Sequence, residues 1–222
     1  MQQININELK PHPRNNEFFD DMTGDAWNAF KESISTSGIV EPIVVTQDMV
    51  IVSGHQRIRA AKELGLSTIM VDIGKYENDD KVLKDLIETN IRQRGIGNTN
   101  PVKLGRCIKE LERIYGVREG SAGKSEPKLS DGNIFNQSDI AEMIGISVDT
   151  LNNYKKLTEL IPELEDLVDT GILAPTTALA LVKYMSPSEQ EEFVKSMDIT
   201  KKITKGQVQQ YIDKIKQLEN DN

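Results

Sequence analysis

Val50-Ile51-Val52-Ser53-Gly54-His55-Gln56-Arg57-Ile58-Arg59-Ala60-Ala61-Lys62-Glu63-Leu64-Gly65 is a β-branched run that enters a helix-forming run through a single glycine. It reads as a strand feeding a helix with two arginines in its first turns. The first amides of a helix have no partner inside the helix and sit at the positive end of its dipole, so phosphate oxygens are well placed there. Arg57 and Arg59 add permanently charged, forked donors that suit phosphate. A strand, a glycine and a basic helix also occur in domains that bind nothing, so this stretch alone leaves scaffold and anion site equally open.

Outward from this stretch, Ile4 and Ile6 followed by Pro11-His12-Pro13 predict a short first strand that leaves the sheet at a turn. Asp25 is placed to cap a helix whose Trp27, Phe30 and Ile34 share one face, and Gly38 to end it. Pro42-Ile43-Val44-Val45 and Met49-Val50-Ile51-Val52, joined by Thr46-Gln47-Asp48, predict a hairpin, and residues 68–73 a further strand. Helices are expected over about 79–91, with Val82, Leu83, Leu86 and Ile87 inward, and over 102–115, with Leu104, Ile108 and Leu111 inward. Residues 116–135 shift to Gly, Ser, Lys, Pro and Asp, the composition of a flexible connector. Beyond it Pro162 and Pro175 open helices, and Ser186-Pro187-Ser188-Glu189 opens another as an N-cap with proline at the first helical position. The expected fold class is therefore α+β. A small mixed-sheet domain occupies 1–115, a connector 116–135 and an all-helical domain 136–222.

The chain has 222 residues, 37% of them hydrophobic and 28% charged, which leaves enough apolar mass for a core and no stretch resembling a membrane span. No signal-peptide pattern opens the sequence, so a cytoplasmic location is expected. The single Cys107 excludes an intrachain disulfide and is expected to be a buried packing residue. A formal net charge of -8 argues at first against nucleic acid, whose binding rests on Lys and Arg. Distribution answers the objection: Arg92, Arg94, Lys103, Arg106, Lys109 and Arg113 face only Glu110 and Glu112 over that stretch, and acids concentrate beyond Glu159.

Residues 137–154 fit a helix-turn-helix. Ala141 is small where two helices cross, Gly145 permits the turn, and Ile140, Ile144, Ile146, Leu151 and Tyr154 supply the shared core. Ser147 caps the second helix. The candidate DNA-contacting residues are Gln137, Ser138, Ser147, Asp149, Thr150, Asn152, Asn153 and Lys156, types that reach base edges or phosphates of double-stranded DNA from a major groove. A helical hairpin used only for packing is the alternative.

In this order the motifs resemble the ParB family of chromosome and plasmid partition proteins over nearly the whole chain. Residues 4–14, with Pro11, Pro13 and Arg14, are similar to its first box, and residues 38–45 to its GxxQPIxV segment. Residues 54–60 match GERRxRA except at His55 and Gln56. Residues 88–94, with Asn100 and Pro101, are similar to its ENxQR stretch and the asparagine-proline that follows, and residues 161–173 and 176–181 to the helices behind its helix-turn-helix. The resemblance implies an N-terminal domain of sulfiredoxin-like fold that binds CTP with Mg2+, a homodimer that closes on its DNA site as a sliding clamp, and slow CTP hydrolysis that reopens it. It implies that Gly54, His55, Gln56, Arg57, Arg59 and Ala60 line the triphosphate and that Glu88 and Asn90 approach the metal. One of Arg92 and Arg94 would supply the motif's arginine. Two departures stand out: His55-Gln56 replaces a Glu-Arg pair, and Asn90 lies two residues after Glu88 instead of one. The family's ParA-binding peptide and C-terminal dimerisation domain are expected to be missing from this sequence, which leaves a ParA-type ATPase as an open partner.

Two other readings remain. One is a helix-turn-helix regulator with a degenerate nucleotide site. The other is a phosphotransferase or nuclease using the same pocket, although the sequence carries no HExxH, GxSxG or Walker A motif.

Overall fold

A computed structural model describes residues 1–117 and 135–220, with side chains to 218. By internal contacts the chain forms two units, Met1–Thr99 and Asn100–Asn222. In the first unit β1 (Gln2–Asn5), β2 (Ile43–Val45), β3 (Ile51–Ser53) and β4 (Thr68–Ile73) make one mixed sheet in the order β1-β4-β2-β3. The expected hairpin is β2 and β3, paired antiparallel with a bulge at Val44/Val45. Thr46 Oγ1 closes its turn by accepting the N–H groups of Asp48 and Val50. β4 runs antiparallel to β1 and parallel to β2. A parallel neighbour needs a crossover, and α3 (His55–Glu63) lies on that path between β3 and β4.

Alternation along the strands sends Ile43, Val45, Ile51 and Val71 into a core that also takes Ile58 and Ala61 of α3. α1 (Asn15–Phe18) is a single turn, and α2 (Gly24–Ser37) lays Trp27 and Ile34 against Ala60. The N-cap of α2 is Thr23, so Asp25 sits within the first turn, where its charge meets the positive end of the dipole; Gly38 ends the helix at φ +71°. α4 (Asp79–Arg94) buries the four apolar residues expected of it and packs on β3.

The second unit begins with α5 (Pro101–Tyr115), capped by Asn100 Oδ1, which accepts from the N–H groups of Val102 and Lys103. Its apolar face, with Leu104, Cys107, Ile108 and Leu111 buried, packs on α7 (Val148–Leu157), so by contacts this helix groups with the helices after the connector. Most of the expected connector, 118–134, lies outside the described residues. α6 (Gln137–Ile144) and α7 are the helix-turn-helix, with Ile140, Ala141, Ile144 and Leu151 buried and Gly145 at φ +78° in the turn. α8 (Pro162–Asp169), α9 (Pro175–Tyr184), α10 (Pro187–Ser196) and α11 (Lys205–Asn220) close a second core around Leu164, Leu181 and Phe193. The Ser186–Glu189 capping box forms as expected. Among the described residues no helix is long and apolar enough to cross a membrane.

Candidate functional site

Gly54 is the N-cap of α3 at φ +106°, ψ +21°. A Cβ there would stand 2.5 Å from Ile43 Cδ1, so conformation and space both require glycine. No cap side chain accepts from the helix, which leaves the first amides of α3 to whatever lies in front of them.

The side chains around this turn are engaged with the protein. Arg57 Nη1 donates to the carbonyls of Glu41 (2.7 Å) and Pro42 (3.2 Å), and Nη2 to Ser53 Oγ (3.3 Å). The Glu41 carboxylate lies 3.4 Å away and is in turn held by Gln93 of α4. Burial lowers the Arg57 pKa and Glu41 opposes the shift. Arg59 turns toward α2, with its guanidinium 3.9 Å from the Trp27 ring centroid and Nη1 donating to the Met22 carbonyl. Gln56 donates to Asp21 Oδ1 (2.6 Å) and accepts from the Met22 N–H. Ala60 is fully buried in the packing beneath.

His55 Nε2 accepts the N–H of His12 at 3.2 Å, which brings together the chain's two histidines. Burial first, then the neighbouring His12 and Arg94, pushes the His55 pKa down to about 4, with Asp21 opposing, so the ring is neutral at pH 7. With Nε2 accepting, the proton of the neutral ring resides on Nδ1. That atom is buried and has no protein partner among the described residues.

Arg94 donates to the Asp20 carbonyl at 2.9 Å and lies over Phe19, whereas Arg92 is exposed. Glu88 is half-buried. Asn90 is buried and its amide donates to the Leu86 carbonyl one turn back. Residues two apart on a helix point to different sides, so Glu88 and Asn90 do not converge. Among the described residues no three His, Cys, Asp or Glu gather as a metal cage. The glycine turn and open helix end therefore fit a phosphate held by backbone amides. A hard cation here would rely on phosphate oxygens for most of its ligands.

α7 is built differently. Ser147 Oγ accepts the Thr150 N–H at 3.2 Å and hydrogen-bonds the Thr150 hydroxyl at 2.8 Å. Asp149, Asn152, Asn153 and Lys156 line a groove of about 500 Å³ together with Lys109 of α5. Ser138 is exposed in the first turn of α6, while Gln137 donates to Glu112 Oε1 at 2.9 Å. Glu112 also holds Lys155 at 2.8 Å, and this ion pair is almost fully buried. Lys155 and Lys156 are about 100° apart around the helix, so Lys155 turns inward to Glu112 while Lys156 stays exposed at the groove.

The sequence reading missed the groups that fix these residues: His12, Asp20 and Asp21, Glu41, Trp27, and the Glu112–Lys155 pair. Only the scarcity of histidine offered a clue, since Glu41 lies 16 residues from Arg57 and Glu112 43 from Lys155.

Comparison with known proteins agrees with this architecture. Residues 1–91 match the model of the ParB N-terminal domain and residues 124–217 that of the ParB HTH domain. A probable chromosome-partitioning protein ParB of Vibrio cholerae is 28% identical over 95% of this chain, and the chain spans 64% of that protein's length. The stage 0 sporulation protein J of Bacillus subtilis is 25% identical over 98% of the chain and is spanned to 69%. Among solved structures, a C-terminally truncated chromosome-partitioning protein ParB from Caulobacter crescentus, complexed to the centromeric parS site, aligns with a TM-score of 0.53 and 20% identity. The match covers 96% of this chain and all of that one, a likeness of fold.

Proposed function

The chain belongs to the ParB family, and on that premise we propose that it is a partition protein that binds a specific duplex DNA site through α7. A nucleotide triphosphate at the N-terminus of α3 would act as its switch. The observation that carries the DNA reading is the outward face of α7, where Asp149, Asn152, Asn153 and Lys156 share one groove while the helix's apolar side is spent on the core. Those residue types read base edges and phosphates.

The nucleotide half rests on the family resemblance, which implies CTP with Mg2+, and on the Gly54 turn. Bound there, the triphosphate would supply negative charge opposite the open end of α3. Gly54 lets the backbone approach, the amides that follow it donate, and Arg57 ties the 41–42 loop to the same turn. Coupling to DNA follows if both ligands favour one conformation, because a ligand shifts a population only by its differential affinity. Closure of a homodimer on DNA, slow CTP hydrolysis and engagement of a ParA-type ATPase belong to the same proposal.

One observation favours a second reading, in which the α3 turn is a scaffold: Arg59 and Arg94 are committed to internal contacts and His55 is neutral. Calorimetric titration with CTP, ATP, GTP and UTP in magnesium separates the two, run with and without duplexes that the protein selects from a random pool. Selective binding of CTP supports the switch. Duplex selection with no nucleotide binding under either condition leaves a helix-turn-helix regulator.

A further inference from the structure

We infer that Lys109 of α5 is a backbone-phosphate contact of the α7 face, carried there by the crossing of α5 over α7 at Gly105. The inference rests on the DNA-binding reading of α7. At Gly105 a Cβ would stand 2.2 Å from the Tyr154 carbonyl oxygen and 2.8 Å from Thr158 Cγ2, so the two backbones are as close as glycine alone allows. Lys109 lies four residues on, on the same face of α5. It is exposed and lines the groove that Asn152, Asn153 and Lys156 of α7 also line.

The third lysine lining the groove, Lys155, is turned inward and buried against Glu112 at 2.8 Å. On α5 itself, Arg106 is paired with Glu165 and Arg113 with Glu110. Lys109 and Lys156 therefore provide the outward positive charge of a groove that also carries Asp149 and Glu159. A flexible ammonium from a supporting helix reaches phosphate without reading bases, so its effect belongs to affinity and salt dependence and not to sequence preference.

The test measures binding of the full chain across a salt series to two probes: a short duplex selected by the wild-type protein from a random pool and a shuffled duplex of the same composition. Lys109→Ala is expected to make the slope of log K against log salt shallower by about 0.9, the loss of one phosphate contact, on both duplexes. The ratio between the duplexes should hold, and Lys109→Arg should restore the slope. An unchanged slope in Lys109→Ala alongside a changed one in Lys156→Ala overturns the inference while leaving the DNA reading intact. A shift confined to the selected duplex overturns it in favour of a base contact. Failure of the wild-type chain to bind either duplex overturns the DNA reading and the inference together. Circular dichroism melting confirms that each variant is folded.

Discussion

The N-termini of α3 and α7 each follow a tight turn and each face a candidate ligand, yet they are finished in opposite ways. α7 caps itself, with Ser147 Oγ taking the Thr150 N–H, and recognition passes to the side chains along its outer face. α3 begins on a left-handed glycine that offers no cap, and its arginines hold the surrounding loops. A self-satisfied helix end makes a side-chain reader, whereas an unsatisfied one presents backbone donors whose geometry is indifferent to which base a ligand carries. The supports differ too. α7 rests on a buried ion pair, and α3 on a neutral histidine and a close glycine–isoleucine contact.

The comparison breaks most visibly at the buried pair. Glu112→Leu removes the carboxylate that Lys155 meets in the interior, with an expected loss of about 3–5 kcal/mol in denaturant unfolding. Adding Lys155→Met to the same chain should recover most of it. If the single variant is neutral, the pair does not support α7.

On the α3 side the support is sensitive to pH. The folded His55 pKa of about 4 lies below the ordinary 6.5, so the unfolded chain takes up the proton first. The His55 contribution is complete above pH 6.5 and is lost as pH falls toward 4, a change of about 3 kcal/mol. His55→Gln, which can keep an acceptor for the His12 N–H, should flatten that part of the stability profile measured by calorimetry between pH 6.5 and 5. A profile identical to wild type there would assign the pH dependence elsewhere.

Gly54→Ala forces a Cβ into Ile43 at a positive φ and is expected to cost about 1–3 kcal/mol in thermal unfolding, together with any nucleotide binding. Ser147→Ala has the smallest effect, about 1 kcal/mol for a lost cap. If Ser147→Ala costs as much as Gly54→Ala, the contrast between a self-capped and an open helix end fails.

Much of this was legible along the chain. Hydrophobic periodicity placed the Trp27 and Leu104 stripes on their helices, two continuous β-branched runs placed β2 and β3, and proline and serine marked the openings of α8, α9 and α10. Gly54 was readable as the turn before a basic helix because strand, glycine and helix are adjacent in sequence. The orientation of Arg59 was not, since the Trp27 ring that attracts its guanidinium lies on another helix. The grouping of α5 was hidden for a similar reason: composition marks the stretch after it, but its apolar face finds α7, far along the chain.

The sequence by itself determined the elements, the helix-turn-helix and the glycine that opens α3, because each depends on residues within a few turns of one another. The tertiary structure alone decided which cations face a ligand and which are consumed inside, because that depends on carbonyls, carboxylates and rings supplied from distant segments. The same rule holds for Lys109: its place beside α7 follows from how closely Gly105 lets two helices approach.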